Sequence, residues 1–158
     1  MRKPFHRVGT GPHAVLVLHG WFGDAHAFEP IEPWLSGDAY SYVFMNYRGY
    51  GARRDVPGAY TIDEIALDAL ALADELGWRT FSLVGHSMGG MAIERIAALA
   101  PARVRGLVAI APVPCGGIRY DTATRQLLEG AADRADLRRA IIDRSTGGRL
   151  PPALSLIH

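Results

Sequence analysis

Phe81-Ser82-Leu83-Val84-Gly85-His86-Ser87-Met88-Gly89-Gly90 carries an apolar run directly into Gly-x-Ser-x-Gly, and a helical pattern follows at once from Met88 to Ala100, stopped by Pro101. A strand that turns so abruptly into a helix forces its serine into a strained backbone and lifts the hydroxyl above the strand end. Glycines at 85 and 89 remove the Cβ atoms that would collide in such a turn. Ser87 also stands at a helix N-terminus, where partial positive charge favours an oxyanion. The stretch therefore reads as a strand, a nucleophile turn and a helix.

Outward from it, three more runs of β-branched and aliphatic residues read as strands: Val15 to Leu18, Tyr42 to Met45 and Val104 to Ile110. They lack alternating polar positions, so the expectation is strands covered on both faces, as in a parallel sheet between helices. Thr61-Ile62-Asp63-Glu64 has the form of a capping box. Behind it Ile62, Ile65, Ala66, Ala69, Leu72, Ala73 and Leu76 recur at helical spacing, and Gly77 stands where a left-handed terminator is favoured. A further helix is expected near Ala27 to Leu35, despite Pro30 and Pro33. Strands alternating with helices imply right-handed crossovers and a doubly wound, mainly parallel α/β sheet flanked by helices.

The character changes after Ile110. Ala111 to Gly117 is rich in proline and glycine, and two polar helical stretches follow, roughly Thr122 to Gly130 and Asp133 to Arg144. The expected organisation is a core over residues 1–117 and the start of a helical lid over residues 118–158.

Three motifs, in this order, carry a resemblance to the α/β-hydrolase superfamily, on its esterase-like branch. Leu16-Val17-Leu18-His19-Gly20-Trp21 resembles the strand and His-Gly loop that supply half of an oxyanion hole. Asn46-Tyr47-Arg48-Gly49-Tyr50-Gly51 resembles the family's Arg-Gly-x-Gly loop, and Gly-His-Ser-Met-Gly-Gly its nucleophile elbow. The resemblance covers roughly residues 13 to 117. It implies that Ser87 attacks the acyl carbonyl of an ester or thioester and that the backbone N–H groups of Trp21 and Met88 hold the resulting oxyanion. His19, Gly20, Arg48, Gly85, His86 and Gly89 would support that site: His19 by bonding loop backbone, Arg48 by bracing a loop, His86 by packing. Trp21 and Phe22 would line the acyl pocket or shield it from water. Met88 and Met91 are expected in the core, and Cys115 as a small buried or half-buried side chain.

The family orders its triad as serine, then acid, then histidine. Here the sole histidine after Ser87 is His158, the last residue, and a terminus is ill suited to hold a base within reach of the serine. Asp121 is read as the N-cap of the helix after it in preference to a catalytic acid. The sequence is accordingly expected to be truncated on its C-terminal side and nearly inactive alone. Leu150 to His158, which contains no charged side chain apart from the histidine, suits an arbitrary end. Truncation would leave Val104 to Ile110 as an unpaired apolar sheet edge, so either the chain self-associates through it or the sequence is part of a longer natural product. A non-catalytic binding module on the same fold is the alternative.

Composition narrows the partners. Lys and Arg number 17 against 16 Asp and Glu, a net charge of +1, so no broad positive field exists to gather nucleic-acid phosphates. No run approaches the ~18 apolar residues of a spanning helix, and residues 1–10 lack the apolar run of a signal peptide. A cytoplasmic protein is the simplest expectation, with a small-molecule substrate and no nucleic acid or membrane. Cys115 is the only cysteine, which excludes an internal disulfide and a multi-thiolate zinc site. No metal or organic cofactor is implied.

Overall fold

A computed structural model describes residues 4–149. Five strands form one sheet: β1 Phe5–Val8, β2 His13–Leu18, β3 Tyr40–Met45, β4 Phe81–His86 and β5 Val104–Ile110, in the spatial order β1-β3-β2-β4-β5. The strands β2 to β5 run parallel, and β1 lies antiparallel on the outside of β3. This is the α/β class that the alternating apolar runs imply. β1 was not legible in the sequence, because His6 and Arg7 interrupt its apolar character and only pairing with β3 makes it a strand.

Helix α1, Ile62–Glu75, begins at Thr61, whose side chain accepts from the Glu64 N–H. The Glu64 carboxylate does not close the box on Thr61: it takes the N–H groups of Ala59 (2.7 Å) and Tyr60 (3.3 Å) and so ties down the entering loop. Gly77 follows with φ +72°. Helix α2 is Met88–Leu99. The helix expected near Ala27 to Leu35 is instead a short 3-10 segment, Glu29–Trp34, since Pro30 and Pro33 have no N–H to donate into an α-helical ladder.

The two faces of the sheet differ. Leu16, Leu18, Val43, Met45, Phe81 and Leu83 meet the apolar sides of α1 and α2, through Ile65, Ala69, Ala92, Ile93 and Ile96. Val15, Val17 and Phe44 on the other face are covered by Ala25, Phe28 and Leu35 of the β2–β3 connection. The chain thus leaves β2 toward one side of the sheet and β4 toward the other. In such sheets a crevice opens at the carboxyl ends of the two strands where the winding reverses.

Covering is incomplete at β5. Leu107 is 39%, Val108 56% and Ile110 41% exposed, against the expectation of strands buried on both faces. The reason is position: β5 is the sheet's last strand among the described residues, with β4 on one side only.

Contacts divide the chain into two units, Met1–Cys115 and Gly116–His158. In the second, α3 (Thr122–Gly130) and α4 (Ala135–Thr146) form a helical pair. Asp121 caps α3 by accepting from the Thr124 N–H at 2.7 Å, and the Arg138 guanidinium donates to the Ala131 carbonyl at 2.7 Å. No helix among the described residues is long and apolar enough to cross a membrane.

Candidate active site

β4 ends in a turn whose geometry is set by Ser87, at φ +54° and ψ −115°. A non-glycine residue in that region costs of order 1–3 kcal/mol and persists only where its surroundings impose it. Here the Ser87 N–H donates to the Ile110 carbonyl (3.0 Å), and its carbonyl accepts from Gly90 (2.9 Å) and Val113 (3.1 Å). The end of β5 and the loop after it therefore clamp the strained residue.

The neighbouring glycines let the elements meet. A Cβ on Gly85 would lie 2.8 Å from the Gly90 nitrogen, and one on Gly89 2.7 Å from the His19 carbonyl oxygen and still nearer that of Leu18. A Cβ on Gly90 would meet the Pro112 side chain at 2.6 Å. α2 can thus start directly against the end of β2, which brings the β2 loop beside the nucleophile turn.

Gly20 makes the contact. The position of a Cβ there lies 3.2 Å from the Ser87 Cβ and 3.0 Å from the His86 Nδ1, so a side chain at this place would require those neighbours to give by a few tenths of an ångström. Its carbonyl accepts from the Gly23 N–H (3.1 Å) and from the His19 ring Nδ1 (2.8 Å), closing a tight turn. Because a carbonyl only accepts, Nδ1 carries the proton and Nε2 is bare; Nε2 is buried with no protein partner. His19 is 1% exposed, and burial lowers its pKa to about 4, outweighing the Gly20 hydrogen bond and the Asp24 charge. A neutral imidazole held this way braces the loop and has no hydrogen bond to Ser87.

Two residues that the sequence reading passed over complete the brace. The Tyr47 hydroxyl donates to the His19 carbonyl at 2.8 Å while its ring stacks on the imidazole at 4.0 Å. Asn46 Oδ1 accepts from the Ala25 N–H at 2.9 Å. Both are buried polar side chains immediately after β3, and burial pushes the Tyr47 phenol well up. Their signal in the sequence is a polar pair placed directly at the end of an apolar strand.

Arg48 itself takes other partners. It makes a two-pronged pair with Asp68 (2.9 Å on each arm) and reaches the Pro57 carbonyl (3.4 Å), while Arg53 approaches the same carboxylate at 2.9 Å. Burial alone would raise the Asp68 pKa, yet the two guanidinium groups outweigh it and hold it below the ordinary value. Arg48 thus ties the loop after β3 to α1. His86 is exposed and lies against Gly20, whereas Ser87 is half-buried. Trp21 and Phe22 stack on each other at 4.7 Å, with Trp21 exposed. Met88 is partly buried against the main core. Cys115 differs from expectation: it is exposed, because the proline-rich loop holds it at the surface, where its thiol donates to Glu94 (2.5 Å) and that carboxylate raises its pKa.

Among the described residues, the N–H groups of Trp21 and Met88 have no hydrogen-bond acceptor. No histidine follows Ser87 there, and His158 and Leu150 lie outside them, as does the rest of the terminal stretch. No group of three or more His, Cys, Asp or Glu among them is disposed to hold a metal ion.

A sequence model of the alpha/beta hydrolase fold matches residues 13–140. The chain belongs to this family. Among curated proteins, it is 32% identical over 96 residues to a serine hydrolase-like protein of Danio rerio, covering 60% of this chain and 29% of the relative. It is 33% identical over 116 residues to the pimeloyl-[acyl-carrier protein] methyl ester esterase of Edwardsiella ictaluri, covering 70% and 41%. The matched stretches therefore cover well under half the length of these relatives. Among solved structures, an esterase from Exiguobacterium antarcticum superposes with a TM-score of 0.75 at 23% identity, over 96% of this chain and 60% of that one, a likeness of fold. An AqdC variant, whose structure concerns recognition and ring cleavage of the Pseudomonas quinolone signal, gives 0.73 at 28% identity, over 88% and 52%.

Proposed function

We propose that this chain carries the nucleophile and oxyanion half of a hydrolase acting on carboxylic esters or thioesters of small molecules, through an acyl-serine intermediate. The observation that supports this reading is the juxtaposition of Ser87, strained at the head of α2, with Gly20 of the loop after β2, while the N–H groups of Trp21 and Met88 have no hydrogen-bond acceptor among the described residues. In the proposed reaction the Ser87 oxygen attacks the carbonyl carbon, and the carbonyl oxygen takes the charge between the amides of Trp21 and Met88. Loss of one such donor typically costs ~3 kcal/mol of transition-state stabilisation. His19 and Tyr47 hold the first amide in place, and the Gly85-Gly89-Gly90 packing holds the second. The base that accepts the serine proton, and the acid that orients it, lie outside the described residues. The esterase named among the relatives supports the substrate class and does not fix the acyl chain.

The protein containing this chain is to be treated with a fluorophosphonate probe and with short p-nitrophenyl esters, beside its Ser87→Ala variant. Probe attached to Ser87 and hydrolysis lost in the variant are expected. Equal hydrolysis by both proteins would reject Ser87 as nucleophile. A folded protein that neither labels nor hydrolyses, yet retains small-molecule binding, would favour a binding module, a reading supported by the want of a histidine after Ser87 among the described residues.

A further inference from the structure

We infer that Val113 is a positioning residue for the oxyanion: its backbone N–H, delivered by the turn Ala111-Pro112-Val113, fixes the direction of the Met88 amide. The inference rests on the function proposed for Ser87 and names what orients one of its two oxyanion donors. A donor's direction is not set by its own residue alone. The Met88 N–H shares one peptide plane with the Ser87 carbonyl, and no peptide bond among the described residues is cis, so the two point in opposite directions. Whatever holds the Ser87 carbonyl therefore aims the Met88 N–H.

That carbonyl is held twice, by the Gly90 N–H at 2.9 Å and by the Val113 N–H at 3.1 Å. The Gly90 bond belongs to the first turn of α2 and travels with the helix. Of the two, only the Val113 bond comes from a separate element, the connection after β5, so it ties the plane to the sheet. The Ser87 N–H meanwhile donates to the Ile110 carbonyl at 3.0 Å. One stretch of chain, from Ile110 to Val113, thus grips the peptides on both sides of Ser87. The φ of +54° and ψ of −115° at Ser87 are the rotation between those two grips.

The stretch is built to bring an acceptor and a donor to the same residue. Ala111 bends it at φ +42°, a left-handed value that alanine holds only under constraint. Pro112 has its own φ locked by its ring and offers no competing N–H. That ring lies where a Cβ on Gly90 would come within 2.6 Å of it, so the turn sits directly on the start of α2. Strain at Ala111 is accordingly spent on seating Ile110 and Val113 against Ser87. The other donor is arranged alike: the Gly20 carbonyl, in one plane with the Trp21 N–H, accepts from the His19 ring and from Gly23. There a side chain supplies an orienting bond. At Met88 a backbone amide does, and changing the side chain at position 113 does not remove it.

The test replaces Val113 by α-hydroxyisovaleric acid in the protein containing this chain, so that an ester oxygen takes the place of one N–H and every side chain is kept. Three quantities are measured beside the unaltered protein and Ser87→Ala: hydrolysis of a short p-nitrophenyl ester, the urea midpoint, and affinity for an alkylboronic acid, whose tetrahedral adduct with Ser87 imitates the intermediate. Expected are kcat and boronate affinity lowered together, each on the order of tenfold, with KM within about twofold, because the amide acts on the tetrahedral oxygen more than on bound ester. Pro112→Gly, which loosens the same turn, should move kcat and boronate affinity the same way by a smaller factor. A lower urea midpoint with kcat and boronate affinity unchanged would give Val113 a structural role only and overturn the inference, leaving the reading of Ser87 intact. A raised KM with kcat unchanged would overturn it as well. Equal hydrolysis by the unaltered protein and Ser87→Ala would overturn the reading of Ser87, and this inference with it.

Discussion

β4 and β5 are neighbours in one parallel sheet, and their surroundings are opposites. Around the end of β4 the space is so full that the backbones of Leu18, His19 and Gly90 and the ring of Pro112 exclude a methyl group at three glycines. Along β5, large aliphatic side chains meet water, and a Cβ at Gly106 would find only the Ser82 hydroxyl, at 3.8 Å. The two strands read alike as apolar runs. An apolar run therefore says that a strand exists, while saturation of its surroundings depends on what the rest of the fold brings there. Close packing at β4 serves the strained Ser87 turn, since strain survives only where neighbours leave no alternative.

The comparison breaks most sharply at Gly89. Gly89→Ala should lower unfolding stability by about 2–4 kcal/mol, because the added methyl group drives α2 away from the end of β2, and helix propensity returns only about 1 kcal/mol of that. Urea unfolding followed by circular dichroism measures it. An unchanged midpoint would mean that the helix does not press on β2 as described.

His19 probes the same region by charge. Its folded pKa of about 4 is below the 6.5 of an exposed histidine, so between those values the unfolded chain binds a proton that the folded chain refuses. Stability from this residue is therefore complete above pH 6.5 and falls as the pH drops toward 4. The full loss is roughly 3 kcal/mol if 1.4 kcal/mol is assigned to each pH unit. Comparing urea midpoints at pH 7 and pH 4.5 for the protein and for His19→Gln isolates this contribution. The variant should lose less on acidification, and equal losses would show that His19 titrates as if exposed.

Much of this was legible in the sequence because local rules act there. The alternation of apolar runs with the Thr61 cap, the spacing of Ile65 to Leu76 and the glycines around Ser87 each state a local requirement that the fold obeys. β1 was hidden because its strand character comes from Met45 to Tyr42 opposite, which lie far away in the chain. The Tyr47 and Asn46 braces were hidden for the same reason: their partners His19 and Ala25 are more than twenty residues distant. Glu64 was half legible, its position in the box being right and its acceptor role falling on Ala59 and Tyr60. Long-range pairings of polar groups carry no period for a pattern to reveal.

The smallest effect is expected at Gly106, and its sign separates the two regions. Gly106 lies in the middle of β5, where no positive φ requires glycine, and a methyl group there meets nothing closer than ordinary contact. Alanine at this place reduces the freedom of the unfolded chain without straining the folded one. Gly106→Ala should therefore raise stability by about 0.5–1 kcal/mol in the same urea assay, opposite in sign to the loss at Gly89. The same atom added to neighbouring elements of one sheet would thus destabilise where the backbones converge and stabilise where β5 stands open. Destabilisation at Gly106 would show that the outer strand is as closely covered as the inner one, and the contrast between β4 and β5 would no longer hold.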